Sequence, residues 1–256
     1  MPALPSDPLA ALAADPIVAA AVAAARGEVD ALLWRRDIRA AATEVAAASV
    51  ERGARDSAAI DGADLAATDA SPMGRVLDAA LRLTLEVPRQ VSVFATAPLQ
   101  ALAHLNAVVA HGFVADEDLG RPRHCDIADD PLHLWPVVPA AAAADRLAGL
   151  AQLLTRPTDA PALVAAAIAH AEVASVRPFA WGSGLLARAT VRLVLAGRGV
   201  DPSLFSIPEH GMLELGRPAY VDALRGYASG TTVGVSGWIV WQSTAVALGA
   251  RAVVVP

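Results

Sequence analysis

The stretch between positions 177 and 188 holds the residues best suited to chemistry in this chain. Gly182, Ser183 and Gly184 form a small turn directly before an apolar segment with helical spacing. A turn of this kind at the start of a helix presents unpaired backbone N–H groups, which bind anions such as phosphate. Arg177 and Arg188 flank the turn and add two guanidinium groups, which pair with phosphate or carboxylate oxygens. Together these five residues predict an anion-binding pocket.

The order of residues around this turn resembles the active-site motif of the Fic (Fido) family, which reads His-Pro-Phe-x-(Asp/Glu)-Gly-Asn-(Gly/Lys)-Arg-x-x-Arg. The positions that match are Pro178, Phe179, Gly182, Gly184 and Arg188. The positions that differ are Arg177 for the histidine, Trp181 for the acid, Ser183 for the asparagine and Leu185 for the first arginine. The resemblance implies an all-α fold with this turn at its active site.

Other segments resemble the family in the same order along the chain, over roughly residues 35–245. Ser57–Gly62 resembles the inhibitory motif (Ser/Thr)-x-x-x-Glu-(Gly/Asn), with Asp61 for the glutamate. The further matches are His170 in the lead-in to the motif, Gly120–Arg123, Val138–Pro139, Tyr220–Leu224 and Trp238. The resemblance implies a regulatory helix ahead of the core, formed by Ser57, Asp61 and Gly62, with Asp61 facing Arg188. Judged alone, Arg123 predicts a surface salt bridge and Trp238 a core aromatic.

The resemblance also implies an activity whose chemical groups are mostly replaced here. In Fic enzymes the motif histidine removes the proton from a target hydroxyl, which then attacks the α-phosphate of ATP and receives AMP. The motif acid holds Mg²⁺, and the two arginines bind the β- and γ-phosphates. Arg177 cannot act as a general base, because a guanidinium stays protonated at physiological pH. Trp181 offers no oxygen to a hard cation, and Leu185 offers no donor to phosphate.

Two interpretations of this altered site remain open. In the first, the protein is a catalytically inactive binding or regulatory module (a pseudoenzyme), Trp181 fills the former metal and nucleotide space, and Arg188 pairs with Asp61. In the second, it is a phosphate-group or nucleotidyl transferase of altered, metal-independent chemistry that uses Arg177 and Arg188. No metal or cofactor is predicted, but a nucleotide or other phosphate-bearing ligand bound without Mg²⁺ is compatible with the residues. A nucleotide-sized cavity near Trp181 would favour the second interpretation.

The sequence matches three further types of site only in part: a dinucleotide site, a hydrolase nucleophile turn and a metal site. Gly182–Ala187 matches Gly-x-Gly-x-x-Ala, and Asp201 follows it, as in an NAD-dependent oxidoreductase, but no β-branched strand precedes the turn. Ser236 lies in Gly-Val-Ser-Gly, which lacks the spacing of a hydrolase nucleophile turn. Four residues of types that bind metals are scattered along the chain, namely His104, His111, His124 and Cys125. Without a tight cluster, they predict surface or capping positions rather than a metal site.

Helical spacing, caps and prolines divide the chain into elements. Asp15 and Pro16 predict a helix to Trp34, after an arm at residues 1–14. Further helices are predicted at 36–52, 56–60, 72–85, 98–109, 140–154, 161–174, 184–196, 219–227 and 238–248. Residues 120–139 contain four prolines and predict a loop with a small β-hairpin flap. The predicted fold is all-α, a Fic-like helical core with that flap. It divides into an N-terminal arm and helix (1–35), an inhibitory-helix-like segment (36–64) and a core domain (65–256).

Composition narrows the classes of function. The chain has 256 residues and a formal net charge of −6, which argues against sequence-independent binding to nucleic acid. Its single cysteine fits a reducing compartment. No signal peptide is predicted, and no apolar run reaches the roughly 18 to 20 residues of a membrane helix. We therefore expect a cytoplasmic protein without a membrane or nucleic-acid partner. A protein partner is compatible with the sequence, which does not identify it or indicate an oligomeric state.

Overall fold

A computed structural model describes residues 7–63 and 72–256, which are predominantly helical. The predicted arm at residues 1–6 and the predicted boundary at residues 64 and 65 lie outside the described residues. In chain order the helices are α1 (Pro8–Ala13), α2 (Pro16–Trp34), α3 (Arg36–Ala40), α4 (Ala42–Ile60), α5 (Pro72–Thr96), α6 (Pro98–Ala110), α7 (Ala140–Thr155), α8 (Ala162–Val176), α9 (Ser183–Gly197), α10 (Pro208–Leu215), α11 (Arg217–Ala228) and α12 (Thr232–Arg251). The all-α class is confirmed.

Local capping signals place the first helices. The Asp15 carboxylate accepts a hydrogen bond from Ile17 N at 2.9 Å, and Pro16 occupies the first turn of α2 as predicted. The predicted arm is wrong at residues 8–13, which form α1. There Asp7 caps the helix and also accepts a hydrogen bond from Thr158 Oγ1 at 2.6 Å. This contact with a distant part of the chain stabilises a short helix that local spacing does not reveal.

Tertiary packing extends several helices beyond their predicted ends. Helix α4 continues through the predicted break at 53–55, and α5 continues through Pro88 to Thr96. A proline inside a helix removes one backbone hydrogen bond. However, Val87 and Phe94 on either side of it are buried in the core, and their burial favours a continuous helix. Helix α12 begins at Thr232 instead of the predicted position 238, and Thr231 Oγ1 accepts a hydrogen bond there from Gly234 N. The short α10 was not predicted.

The predicted β-hairpin flap is not confirmed. Residues 120–139 contain no strand, and nearby there are only an isolated bridge between His111 and Val114 and a single 3-10 turn at Asp116–Asp118. Proline has no N–H to donate to a sheet, and this segment has four. It is an irregular loop that packs over one end of the central helices.

Helices α8 and α9 form the centre of the molecule. In α8 every residue except Ala162 and Glu172 is buried, and α9 is buried from Leu185 to Leu195. A helix that is apolar on all sides requires neighbours on all sides. Helix α8 contacts α7, α11 and α12, while α9 contacts α4, α5, α6 and α10. The α8–α9 turn is therefore held at the junction of most of the helices.

Among the described residues, one helix is long and apolar enough to cross a membrane by length and composition, namely α12. Half of its most apolar window is buried inside the protein, with Trp238, Ile239 and Val246 in the core. A core helix passes the same test of length and composition.

Candidate functional site

The α8–α9 turn carries most of the residues predicted to do chemistry. After Val176, Arg177 adopts φ 44° and ψ 67°, a left-handed conformation that a residue with a side chain keeps only when its surroundings hold it. Gly182 is also left-handed (φ 77°), which costs glycine little, and α9 begins directly after it. Ser183 Oγ donates a hydrogen bond to the Phe179 carbonyl at 3.3 Å and accepts one from Phe179 N at 3.4 Å. Ser183 therefore closes the turn.

Arg123 holds the turn in place from the neighbouring loop. Its backbone N–H donates to Pro178 O at 2.9 Å, and its Nε donates to Arg177 O at 2.8 Å. Its other guanidinium nitrogens donate to the carbonyls of Cys125, Val138 and Val176. The predicted surface position is wrong, because the Arg123 side chain is only 1% exposed, but an ion pair is present, with Arg123 Nη1 lying 3.8 Å from Asp126 Oδ1. The last carbonyls of a helix lack helical partners, and Arg123 provides donors for those of α8.

Arg177, at the position of the motif histidine, is already paired within the chain. Its Nη1 forms an ion pair with Asp130 Oδ2 at 2.5 Å, and its Nη2 donates to Trp135 O at 2.5 Å. The guanidinium carbon also lies 6.0 Å from the centre of the Trp135 ring, within the range of a cation–π contact. The side chain is 4% exposed, and in the part of the chain that the structure describes its Nε has no hydrogen-bond partner. The loop thus supplies an internal anion to this cation.

Arg188 is completely buried and connects α9 to the predicted inhibitory segment. Its Nη2 lies 2.7 Å from Asp61 Oδ2, so the predicted contact is present. Its Nε donates to Ser57 Oγ at 2.7 Å, and its Nη2 donates to Ser57 O at 3.1 Å. Burial alone would lower the pKa of Arg188, but the Asp61 charge beside it raises that pKa above its ordinary value. Gly62, with φ 86°, follows the last turn of α4 and ends the helix at Asp61.

A second buried arginine repeats this arrangement one turn further along α9, and sequence analysis missed it. Arg192 Nε and Nη2 donate to the two carboxylate oxygens of Glu209 at 2.7 and 2.8 Å. The same guanidinium donates to Ser49 Oγ at 3.1 Å and to Ser49 O at 3.2 Å. The sequence signal that indicates Arg192 is its spacing from Arg188. Arg192 lies four residues after Arg188, on the same face of an otherwise apolar helix.

The Asp61 carboxylate lies at the start of α9, where an anion would be expected. A Cβ atom built on Gly184 would lie 3.3 Å from Asp61 Oδ2 and 3.6 Å from Arg188 Nη1. The helix start is therefore covered by a carboxylate of the chain itself. Asp61 Oδ1 and Arg188 Nη1 are buried and have no hydrogen-bond partner among the described residues.

The space that remains between these groups is small. It has a volume of about 10 Å³, which is room for about one water molecule. Its lining includes Asp61, Gly184 and Tyr220 from the helices, Arg177 from the turn, and the loop residues Asp129, Asp130, Leu132 and Leu134. The described residues leave no nucleotide-sized cavity here, and the 129–134 loop forms about half of the lining.

Trp181 does not fill this space, so the expected role of its indole is wrong. The ring stacks on Phe113 at a centroid distance of 3.7 Å and an interplanar angle of 11°. Its backbone carbonyl accepts a hydrogen bond from Asn106 Nδ2 at 3.0 Å. Trp181 is not among the residues that line the cavity. The loop, rather than the indole, closes the site.

A buried polar network supports the site from behind. His170 Nδ1 lies 2.7 Å from Gln242 Oε1, and its Nε2 lies 2.6 Å from Tyr220 Oη. Burial lowers the pKa of His170 to about 3 and raises that of Tyr220 to about 12, so both are neutral near pH 7. Trp238 is a core aromatic as predicted, and its Nε1 donates to Ala167 O at 2.7 Å.

The geometry disagrees with the dinucleotide-binding interpretation. Val191–Leu195 lies within α9, and the segment before the turn is α8, so the strand that this fold needs is not there. Asp201 instead accepts hydrogen bonds from the backbone N–H groups of Phe205 and Ser206. Among the described residues, no three His, Cys, Asp or Glu side chains converge as metal ligands.

Comparison of the whole chain with known proteins identifies the fold. The sequence matches no protein-family profile and no curated protein. Among solved structures, a Fic family protein from Desulfovibrio desulfuricans is similar, with a TM-score of 0.73 and 18% identity over 92% of this chain and 73% of that one. A fragment of Fic-1 from C. elegans has a TM-score of 0.60 and 15% identity over 92% of this chain and 72% of that one. A point variant of that fragment has a TM-score of 0.61 and 16% identity over 96% of this chain and 74% of that one. The chain therefore has the Fic fold.

Proposed function

We propose that this chain, which has the Fic fold, is a catalytically inactive binding or regulatory module rather than an AMP transferase. One observation carries the proposal. Arg177 and Arg188 pair with carboxylates of the chain itself, and the space beside them holds about one water molecule. A nucleotide would have to displace both carboxylates and the 129–134 loop before it reached either guanidinium.

The chemistry of the remaining groups supports the same proposal. Transfer to a hydroxyl needs a base close to the proton that it removes. The motif position for that base holds Arg177, which donates hydrogen bonds and accepts none. The motif position for the metal-binding acid holds Trp181, whose ring is stacked on Phe113. General-base catalysis alone contributes typically about a hundred- to ten-thousand-fold to a rate, and the metal contribution is absent from the motif as well.

One observation favours the alternative, a metal-independent transferase. Asp129 lines the cavity, and its pKa is raised to about 6, a value suited to a general base near neutral pH. Removal of the carboxyl from bulk water is the first cause of this rise, and the neighbouring Asp61 and Asp130 charges add to it. We give this alternative second place because the same cavity has no room for a phosphorylated substrate.

The test is incubation with α-labelled ATP, Mg²⁺ or Mn²⁺ and a cell lysate. Wild-type protein, Asp61→Gly and Arg188→Ala are compared, with an active Fic transferase as the positive control. We expect no labelled protein with any variant, because release of Asp61 cannot restore a missing base or metal ligand. Label above the Arg188→Ala background would contradict the proposal. Loss of that label in Asp129→Asn would establish the alternative.

A further inference from the structure

The 129–135 loop is held in the cleft by contacts at both of its ends. Asp129 N donates to Ala180 O at 2.8 Å, which attaches the loop to the α8–α9 turn. At the other end, Arg177 Nη2 donates to the Trp135 carbonyl. Between these points Arg217 donates to the Pro131 carbonyl, and Leu132 and Leu134 are buried. The loop therefore occupies the cleft as an ordered segment.

Asp130 is the central contact of this loop. Its Oδ2 pairs with Arg177 Nη1 at 2.5 Å and also accepts a hydrogen bond from Leu134 N at 2.9 Å. Its backbone carbonyl accepts a hydrogen bond from His133 N at 3.2 Å. One carboxylate thus folds the loop and occupies the cationic face of Arg177. A carboxylate or phosphate group from outside would bind this guanidinium in the same way.

Within residues 7–63 and 72–256, two buried polar atoms that line the cavity have no hydrogen-bond partner, which indicates a built polar site. They are Arg177 Nε and Asp61 Oδ1, on side chains that are 4% and 7% exposed. Buried polar atoms of native proteins normally have partners. Both residues line the cavity, so a change in the loop would expose a guanidinium with unused hydrogen-bonding capacity.

Asp129 is the ionisable group that opposes closure of the loop. It shares the cavity lining with Asp61 of α4 and with Asp130 of its own loop, and both carboxylates repel its ionised form. The Arg177 cation has the opposite influence, because it favours the ionised form of Asp129. The other charged or titratable groups near the cavity are Arg188 of α9, which Asp61 engages, and Tyr220 and Arg217 of α11.

We propose that the 129–135 loop is a pH-sensitive latch, in which Asp130 is an internal ligand of Arg177 that an external oxyanion replaces once Asp129 ionises. The proposal rests on the proposed function, because it gives the binding module a ligand class, a compact phosphate- or carboxylate-type anion. It also gives that site a means of regulation.

The size of the effect follows from linkage. The pKa of the Asp129 carboxyl is about 6 in the closed loop, and in the open loop it has its ordinary value of 3.8. Protonation of Asp129 therefore favours the closed loop, and ionisation favours the open loop. Opening is therefore suppressed at low pH, increases as pH rises from about 4 through 6, and levels off above that range. Between pH 5 and pH 8 the opening equilibrium increases by at most about tenfold, and because Asp129 is exposed to solvent the increase falls below this limit.

Hydrogen exchange of individual amides, normalised to intrinsic rates, measures the opening. We expect protection of the Leu134 and His133 amides to fall several-fold from pH 5 to pH 8 in the wild type. The fall should be absent in Asp129→Asn and retained in Asp145→Asn, which changes an exposed aspartate of α7. Constant protection in the wild type, or an unchanged fall in Asp129→Asn, overturns the latch.

Sulfate binding tests the ligand class, because sulfate keeps its charge between pH 5 and pH 8. Amide chemical shifts of Gly182 and Gly184 are followed during titration with sodium sulfate, against sodium chloride at equal ionic strength. We expect Asp130→Asn to bind sulfate more tightly than the wild type, and Asp130→Asn combined with Arg177→Met to lose this gain. Equal binding by all three proteins overturns the proposed site. AMP transfer in the labelled-ATP assay would overturn the proposed function and leave both of these results unaffected.

Discussion

Replacement of Asp61 by Asn tests whether the predicted inhibitory segment is a fixed part of the core. The ion pair that it disrupts is buried on both sides, since Arg188 is 0% and Asp61 7% exposed. In Asp61→Asn the amide oxygen accepts a hydrogen bond but carries no charge, so the guanidinium keeps only neutral partners, among them the hydroxyl and carbonyl of Ser57. Removal of one partner of a buried pair leaves an uncompensated charge and costs about 3–5 kcal/mol of the free energy of unfolding. We expect a loss of that size in Asp61→Asn.

The measurement is urea denaturation followed by circular dichroism, with Asp30→Asn as the matched control. Asp30 pairs with Arg26 at 2.8 Å on α2, but both side chains are more than 40% exposed. An exposed pair of this type contributes about 0.3–0.5 kcal/mol. Asp61→Ala combined with Arg188→Met should recover much of the loss, because it removes both charges. If Asp61→Asn costs no more than Asp30→Asn, the buried pair is not maintained in solution and the reasoning is refuted.

The same pair bears on the regulatory role that the resemblance implied for α4. That helix is attached to α9 at two levels, by Arg188 to Ser57 and Asp61 and by Arg192 to Ser49. Release of α4 would expose both guanidinium groups and the apolar residues packed around them. We therefore expect amide exchange in the middle of α4 to require an opening as large as global unfolding.

Four other substitutions test the packing, one of them (Gly27→Ala) as a control. Gly53→Ala places a Cβ 2.2 Å from Arg192 Nη2 and should cost about 1–3 kcal/mol of unfolding free energy in a denaturant titration. In Gly27→Ala the added Cβ meets none of the described atoms within 4 Å, so this change should instead stabilise α2 by about 0.5–1 kcal/mol. Equal effects of the two substitutions would contradict the close packing of α4 on Arg192. His170 is buried with a pKa of about 3, below the 6.5 of an unfolded chain, so only the unfolded state gains its proton as pH falls through 6.5. The wild type should lose about 2 kcal/mol between pH 7 and pH 5 from this group, and His170→Gln should show a correspondingly smaller loss. In Arg123→Lys a single ammonium group cannot reach all of the carbonyls that the guanidinium binds. We expect the free energy of unfolding, measured by thermal or urea denaturation, to decrease by about 1.5–3 kcal/mol. No decrease would show that the Arg123 hydrogen bonds do not hold the turn.

Local signals predicted much of the fold and the frame of the site. Asp15 with Pro16 begins α2, and Gly182 with its left-handed conformation begins α9, as a cap and a glycine turn require. These predictions succeeded because a cap, a turn and a helical period depend on residues within a few positions of one another. The Asp61–Arg188 contact was also predicted, although from resemblance to a family and not from local spacing.

Tertiary structure decided which groups occupy the site. Nothing near Arg177 in the sequence indicates that Asp130 will pair with it, and nothing near Arg192 indicates Ser49 or Glu209. These contacts join residues far apart in the chain, and they exist because apolar helices pack into one core and bring the buried cations beside the acids that compensate them. The same packing carries α5 through Pro88 and places the 129–135 loop in the cleft. The sequence alone determined that Arg177 and Trp181 stand where the motif that it resembles has a histidine and an acid, because these are properties of single side chains. Only the tertiary structure decided that the remaining cations are paired within the chain, because pairing depends on the positions of groups that the fold brings together.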